Sequence, residues 1–317
     1  MKIHRNKLAG AVVAVLAIAG LLIGCETADN ALFEAGRSAM RAFAGLEQGT
    51  VSVDGRDMAY LHRPGDGPTV VLIHGFASEK DVWLRFLGDI PRDYAVYAID
   101  LPGHGDSFRD PAFHYDIPAI VATLEAAISQ LTDGPVHMVG TSLGGMIATL
   151  YTVSQPDRVE SLALYAPAGV YPPNPSEFQV ALERGENPLI AHAESDFDEL
   201  MEIVFHKPPP MIWPVGSAIR DYAVERADFH QKIWNDLWPE HPTLNDVLPQ
   251  IDVPVMLVWG REDKVLDVSS SQVFSALVKD IEVDLIEAAG HAIVNERPRD
   301  MGRLYQQFLS DHSGETD

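Results

Sequence analysis

The sequence predicts an α/β protein: a mostly parallel central sheet with helices on both faces and an inserted helical cap. Three observations predict it. Short apolar, β-branched runs alternate with helical stretches, a pattern that needs right-handed crossovers and a sheet covered on both sides. One such strand runs directly into Gly140-Thr141-Ser142-Leu143-Gly144-Gly145, a strand-to-helix turn built around a serine. From about residue 170 to 245 the alternation stops, in a stretch rich in proline, tryptophan and methionine, and then resumes.

Residues 1–25 read as a lipoprotein-type signal. Lys2, His4, Arg5 and Lys7 form a basic start, and Leu8 to Ile23 is an apolar run short for a membrane span. It ends in Leu22-Ile23-Gly24-Cys25, a tetrapeptide similar to a bacterial lipobox, where the cysteine is lipidated. Cys25 is the only cysteine of the chain, so intrachain disulfides are impossible and the lone thiol stands where lipidation requires it. The expectation is an exported bacterial lipoprotein, membrane-anchored. The outer membrane is favoured because Glu26, rather than aspartate, follows the cysteine. An uncleaved signal anchor is the competing reading.

Residues 26–49 read as a linker or stalk, helical over Ala31 to Leu46. The core is expected over 50–169 and 246–310, with the cap over 170–245. The core opens with a hairpin, Thr50–Val53 and Met58–Leu61 across the Asp54-Gly55 turn. Thr69–Ile73 is a continuous apolar run of the kind buried on both faces of a parallel sheet. A helix over Val82–Leu87, a strand over Ala95–Ile99 and a helix over Ile117–Leu131 follow. Val136–Val139 is the strand before the turn, Met146–Ser154 the helix after it, and Ser161–Tyr165 the next strand. After the cap come a strand at Val255–Trp259, a helix at Ser270–Val278, a strand at Glu282–Ile286 and a last helix at Pro298–Leu309. A cap inserted there lies over the carboxyl ends of the strands, the edge where sites form in wound sheets.

The 317 residues carry a net charge of -23 and are 46% apolar. That supplies a sizeable core, and it excludes nucleic acid as a partner because the surface repels polyphosphate. It also gives no electrostatic help in binding an anionic bilayer. The histidines are scattered without metal-ligand spacing, and no feature demands a cofactor, a metal or an obligate protein partner.

The chemistry is expected at the turn. Gly140 and Gly144 leave room for a tight bend, and Ser142 must then hold a strained backbone that lifts its hydroxyl to the positive end of the next helix. A nucleophilic serine needs a base, and the base an orienting acid, in the chain order Ser, Asp or Glu, His. His291 follows the strand Glu282–Ile286 and is the expected general base. Asp263 follows the strand Val255–Trp259 and is the expected carboxylate, with Glu262 and Asp267 near enough in sequence to compete. Two backbone N–H groups should hold the oxyanion: Leu143, after the nucleophile, and Phe76, in the loop His74-Gly75-Phe76-Ala77. His74 reads as a structural hydrogen-bonding residue, and Asp100 to Ser107 as scaffold beside the site. In the cap, Met211 and Trp213 are candidate substrate-contacting residues.

Together these motifs resemble the α/β-hydrolase superfamily of serine hydrolases over about residues 50 to 310. His74-Gly75-Phe76 with Lys80 and Trp83, the turn at Ser142, Asn187-Pro188-Leu189, Val265 to Ser269, and Gly290-His291 through Pro298 are similar to cold-active bacterial lipases and monoacylglycerol lipases. The resemblance implies hydrolysis of carboxylic esters, most naturally monoacylglycerols or short- to medium-chain lipid esters, through a Ser-His-Asp triad and an acyl-enzyme. A carbon–carbon bond hydrolase of the same fold, and a non-catalytic lipid-binding lipoprotein, are the alternatives. A dehalogenase is disfavoured by serine where that chemistry needs aspartate.

Overall fold

The computed structural model describes residues 25–213, 215–238 and 243–312. The signal segment expected over 1–25 lies outside them apart from Cys25, the first residue of helix α1 (Cys25–Ala44). No described helix is long and apolar enough to cross a membrane.

Eight strands form one sheet: β1 (Glu47–Val53), β2 (Arg56–Arg63), β3 (Thr69–Ile73), β4 (Ala95–Ile99), β5 (Val136–Thr141), β6 (Val159–Tyr165), β7 (Val255–Gly260) and β8 (Ile281–Ile286). Their spatial order is β1-β2-β4-β3-β5-β6-β7-β8. β1 and β2 form the expected hairpin, β2 joins β4 antiparallel, and every later pairing is parallel.

The apolar strands are buried on both faces, and their alternation shows it. Val71 and Ile73 of β3, Leu162 and Leu164 of β6, and Leu257 and Trp259 of β7 point into one core. Their neighbours Val70, Leu72, Ala163, Tyr165, Met256 and Val258 point into the other. The first core is closed by α2 (Ile117–Leu131), α3 (Leu143–Ser154) and α8 (Ser270–Leu277), through Ile120, Leu124, Ile147 and Phe274. The second is closed by α9 (Ile293–Glu296) and α10 (Pro298–His312), through Ile293, Met301, Tyr305 and Phe308. Each fully buried aliphatic side chain contributes about 1.5–3 kcal/mol.

Two elements differ from expectation. The helix expected over Val82–Leu87 is instead a pair of 3₁₀ turns, Lys80–Trp83 and Leu87–Asp89. The burial of Lys80, Trp83, Phe86 and Leu87 all round this stretch overrides helical periodicity. The helix expected from Ala31 starts earlier and folds back on the body. Arg41 pairs with Asp81 and bonds Gln48 at 2.8 Å, and Arg37 bonds Glu79 at 2.8 Å.

Between β6 and β7 lie α4 (Glu177–Glu183), α5 (Glu194–Val204), α6 (Val215–Glu225) and α7 (Ala227–Leu237). α4 begins with a reciprocal Ser176–Gln179 capping box. α6 is tied to the body and to α1 together, because Glu79 takes both Arg37 and the Tyr222 hydroxyl, the latter at 3.4 Å.

Candidate active site

The turn after β5 is as tight as the sequence implies. A Cβ on Gly144 would fall inside the carbonyl oxygens of Ile73 and His74, and one on Gly140 would collide with the Gly144 carbonyl. Only glycine fits at either place. Ser142 between them sits at φ 54 and ψ -123, and its side chain makes no capping bond to α3. A serine that merely capped the helix would accept from the first turn. Here the carbonyl of Ser142 is anchored by Gly145, Met146 and Ala168 N–H groups, while its hydroxyl opens into a cavity. Holding a serine at positive φ costs about 1–3 kcal/mol, which the close packing around it sustains.

That cavity, about 160 Å³, is apolar. Phe76, Leu143, Phe178, Leu182, Trp234 and Leu266 are among its walls, and Tyr171 and Trp238 stand at its exposed rim. Trp234 stacks on Trp238 with centroids 5.6 Å apart and meets Phe76 and Phe178 edge-on. Met211 and Trp213, expected at the substrate, are not among the walls of this cavity. Met211 lines a separate cleft of about 660 Å³ with Arg85, Phe205 and Arg297, and Trp213 is 66% exposed. The segment 207–213 is exposed except at Met211, which shares that cleft with the body residues Arg85 and Arg297.

Asp263 and His291, 28 residues apart in sequence, meet at the ends of β7 and β8. His291 Nδ1 lies 2.8 Å from Asp263 Oδ2, with the carboxylate fully buried and the imidazole nearly so. The other oxygen, Oδ1, accepts from the N–H groups of Val265 (2.8 Å) and Leu266 (2.9 Å). Val265 and Leu266 also wall the cavity into which Ser142 opens. The competing carboxylates are occupied otherwise. Glu262 accepts from Ala289 N–H and Asp267 from Ser269 N–H.

The loop bearing Phe76 is pressed against the serine. A Cβ on Gly75 would lie 3.1 Å from Ser142 Cβ. Among the described residues, no acceptor engages the N–H of Phe76 or of Leu143, the first residue of α3. His74 holds this loop: Nδ1–H donates to the Gly75 carbonyl at 2.7 Å, and Nε2 accepts from Leu101 N–H at 3.0 Å. Burial pushes His74 down to about 4, so the ring is neutral, as these bonds require.

The loop Asp100 to Ser107 is scaffold of an unusual kind. Lys80 Nζ, wholly buried, lies 2.5 Å from Asp100 and 2.7 Å from Asp106. Asp100 also accepts from Lys80 N–H and Asp106 N–H, so both charges are fully bonded. His104 stacks on His230 of α7 with centroids 5.7 Å apart, and lies tilted against His74 at 5.3 Å. Burial brings His104 and His230 down to about 3. Sequence reasoning missed His230 because nothing local marks a helical histidine as a partner for a loop 126 positions earlier.

Comparison with known proteins gives a consistent result. A family profile described as alpha/beta hydrolase fold matches residues 68–298. The monoacylglycerol lipase abhd6-B of Xenopus laevis is 30% identical over 259 residues, 78% of this chain and 77% of that protein. Lipase 3 of Moraxella sp. (strain TA144) is 24% identical over 90% of this chain and 93% of its own. A crystal structure of a membrane phospholipase A, described as a bacterial virulence factor, is 37% identical. It covers 98% of this chain and 99% of its own, with a TM-score of 0.88.

Proposed function

The chain belongs to the alpha/beta hydrolase fold family, as an ester hydrolase, and from that premise we propose that it is a serine lipase or esterase. Its substrates are monoacylglycerols or other short- to medium-chain lipid esters, and Ser142, His291 and Asp263 are its triad. The single observation that carries this reading is the 2.8 Å bond from His291 to an Asp263 whose other oxygen is held by two walls of the serine's cavity.

The reaction proceeds in two halves. His291 Nε2 takes the proton of Ser142 as Oγ attacks the ester carbonyl, and Asp263 fixes the imidazole tautomer that makes Nε2 the base. The carbonyl electron pair moves to oxygen, where the free N–H groups of Phe76 and Leu143 receive it. Collapse expels the alcohol, which takes its proton from His291, and leaves an acyl-serine. Water, deprotonated by the same ring, attacks that acyl group, and the serine departs with the proton.

The apolar cavity supports an acyl chain as the buried part of the substrate. Exposed apolar groups support work at a lipid surface: Phe43 of α1 is 91% exposed, and Ile212, Trp213 and Val215 are exposed at the start of α6. Under this reading residues 1–25 deliver the chain to the cell envelope, Cys25 carries the lipid anchor at the outer membrane, 26–49 links that anchor to the body against which α1 packs, and 170–245 caps the core of 50–169 and 246–310. Labelling by a fluorophosphonate, mapped to Ser142 by mass spectrometry, tests the assignment. Absence of label on a folded, active protein would overturn it.

A further inference from the structure

The loop that carries His291 is not held by the body alone. Ala292 N–H donates to the carbonyl of Val204, the last residue of α5 in the cap, at 2.8 Å. On the other side of His291, Gly290 is packed so tightly on the cap that a Cβ there would overlap His206 N and lie 2.9 Å from the Phe205 carbonyl carbon. One carboxylate also joins the two segments. Glu296, at the end of α9, accepts through Oε2 from Gly290 N–H (2.6 Å) and His206 N–H (3.2 Å), and through Oε1 from Lys207 N–H (2.9 Å).

We propose that Glu296 is a positioning residue for His291: its carboxylate clasps the histidine loop to cap residues 206–207 and thereby sets where the imidazole stands. The proposal rests on the reading of His291 as the base, but its geometry does not. The three donors come from two segments about 84 residues apart in sequence, and no other side chain of the described residues bonds both. A carboxylate suits the task for a reason of valence. It offers two acceptor oxygens with several lone pairs, whereas a glutamine amide offers one oxygen and turns two donors toward the remaining N–H. The clasp also makes the cap part of the catalytic frame. Displacing residues 204–207 pulls directly on Gly290 and Ala292, and misplacing the base by about 1 Å costs on the order of a hundred-fold in rate.

The test compares Glu296→Gln and Glu296→Ala in the full chain, using p-nitrophenyl butyrate turnover and the downfield proton resonance of His291 Nδ1–H. That resonance is assigned by its loss in His291→Gln and needs no turnover to be read. We expect kcat to fall about ten-fold for the glutamine variant and about a hundred-fold for the alanine variant, with KM little changed. We also expect the resonance to shift in the first and to broaden or vanish in the second. An unchanged resonance in the folded glutamine variant overturns the proposal, whatever happens to the melting temperature. A shifted resonance in a protein without esterase activity leaves the clasp standing and removes the proposed function instead.

Discussion

The imidazole of His230, on the cap helix α7, stacks on that of His104, on the body, with ring centroids 5.7 Å apart and planes 24° from parallel. His104 Nδ1–H donates to the Pro102 carbonyl at 3.0 Å, and its buried Nε2 has no partner, so the pair joins cap to body only while both rings are neutral. Arg226, Arg109, His74 and, behind it, Lys80 face the rings, and all of these disfavour a further positive charge.

A pH dependence follows. His74 is brought down to about 4, and His104 and His230 to about 3, all by burial. The unfolded chain therefore binds more protons than the folded one between these values and the ordinary histidine range. Stability is complete above pH 6.5 and falls as the medium is acidified, by about 2 kcal/mol for each ring at pH 5. Urea unfolding across pH 5 to 8 checks this. His230→Phe, which keeps the stacking, should remove one ring's share of the slope.

The backbone at Ser142 gives a prediction of opposite sign for stability and activity. Ser142→Gly releases a residue held at φ 54 and should unfold about 1 kcal/mol harder than the unsubstituted protein, after glycine's own entropy cost. The same variant should be without esterase activity. Thermal melting and an ester assay read the two effects separately.

Lys80 neutralises the fully buried Asp100 and also bonds the solvent-accessible Asp106, so Lys80→Met leaves both acids without that cation and strands Asp100 in the interior. We expect a loss of about 3–5 kcal/mol in urea unfolding. A loss below about 1 kcal/mol would mean that these acids take up protons at little cost.

Under the proposed reading, the cavity at Ser142 limits the length of the acyl chain it buries. A dry apolar cavity of about 150 Å³ accepts a six-carbon ring, so one of about 160 Å³ buries about six acyl carbons before the chain meets Tyr171 and Trp238. Turnover of p-nitrophenyl esters should climb to hexanoate or octanoate and then level off. Leu182→Trp should shift that plateau to shorter chains by two or more carbons, in about the ratio of volume filled.

Much of this was legible in the sequence because strand runs such as Thr69–Ile73 and Val255–Trp259 leave no other reading, and because the chain order after each strand locates Ser142, Asp263 and His291. The 3₁₀ pair near Trp83 was less so, since tertiary burial there overrides local periodicity. The cap was opaque. Its helices are short, Ser176–Gln179 is the one clear start signal, and which apolar residues face the serine depends on how α4 and α7 sit on the body. That is why Met211 and Trp213 stood out in the sequence while Phe178, Leu182 and Trp234 form the wall. Glu296 was visible only as part of a motif, because its partners at 206–207 are brought to it by the fold.

Removing the charge of Asp263 probes the histidine directly. Asp263→Asn retains the shape but offers His291 Nδ1 an amide, and kcat should fall by about ten-thousand-fold with KM little moved. Steady-state kinetics on p-nitrophenyl butyrate decide this.

The most direct test of the central claim is the hydrolysis rate of that same ester by Ser142→Ala. The account predicts a fall of about a million-fold in kcat, to a trace above the uncatalysed rate. A folded Ser142→Ala protein that turned over within ten-fold of the unsubstituted one would contradict it.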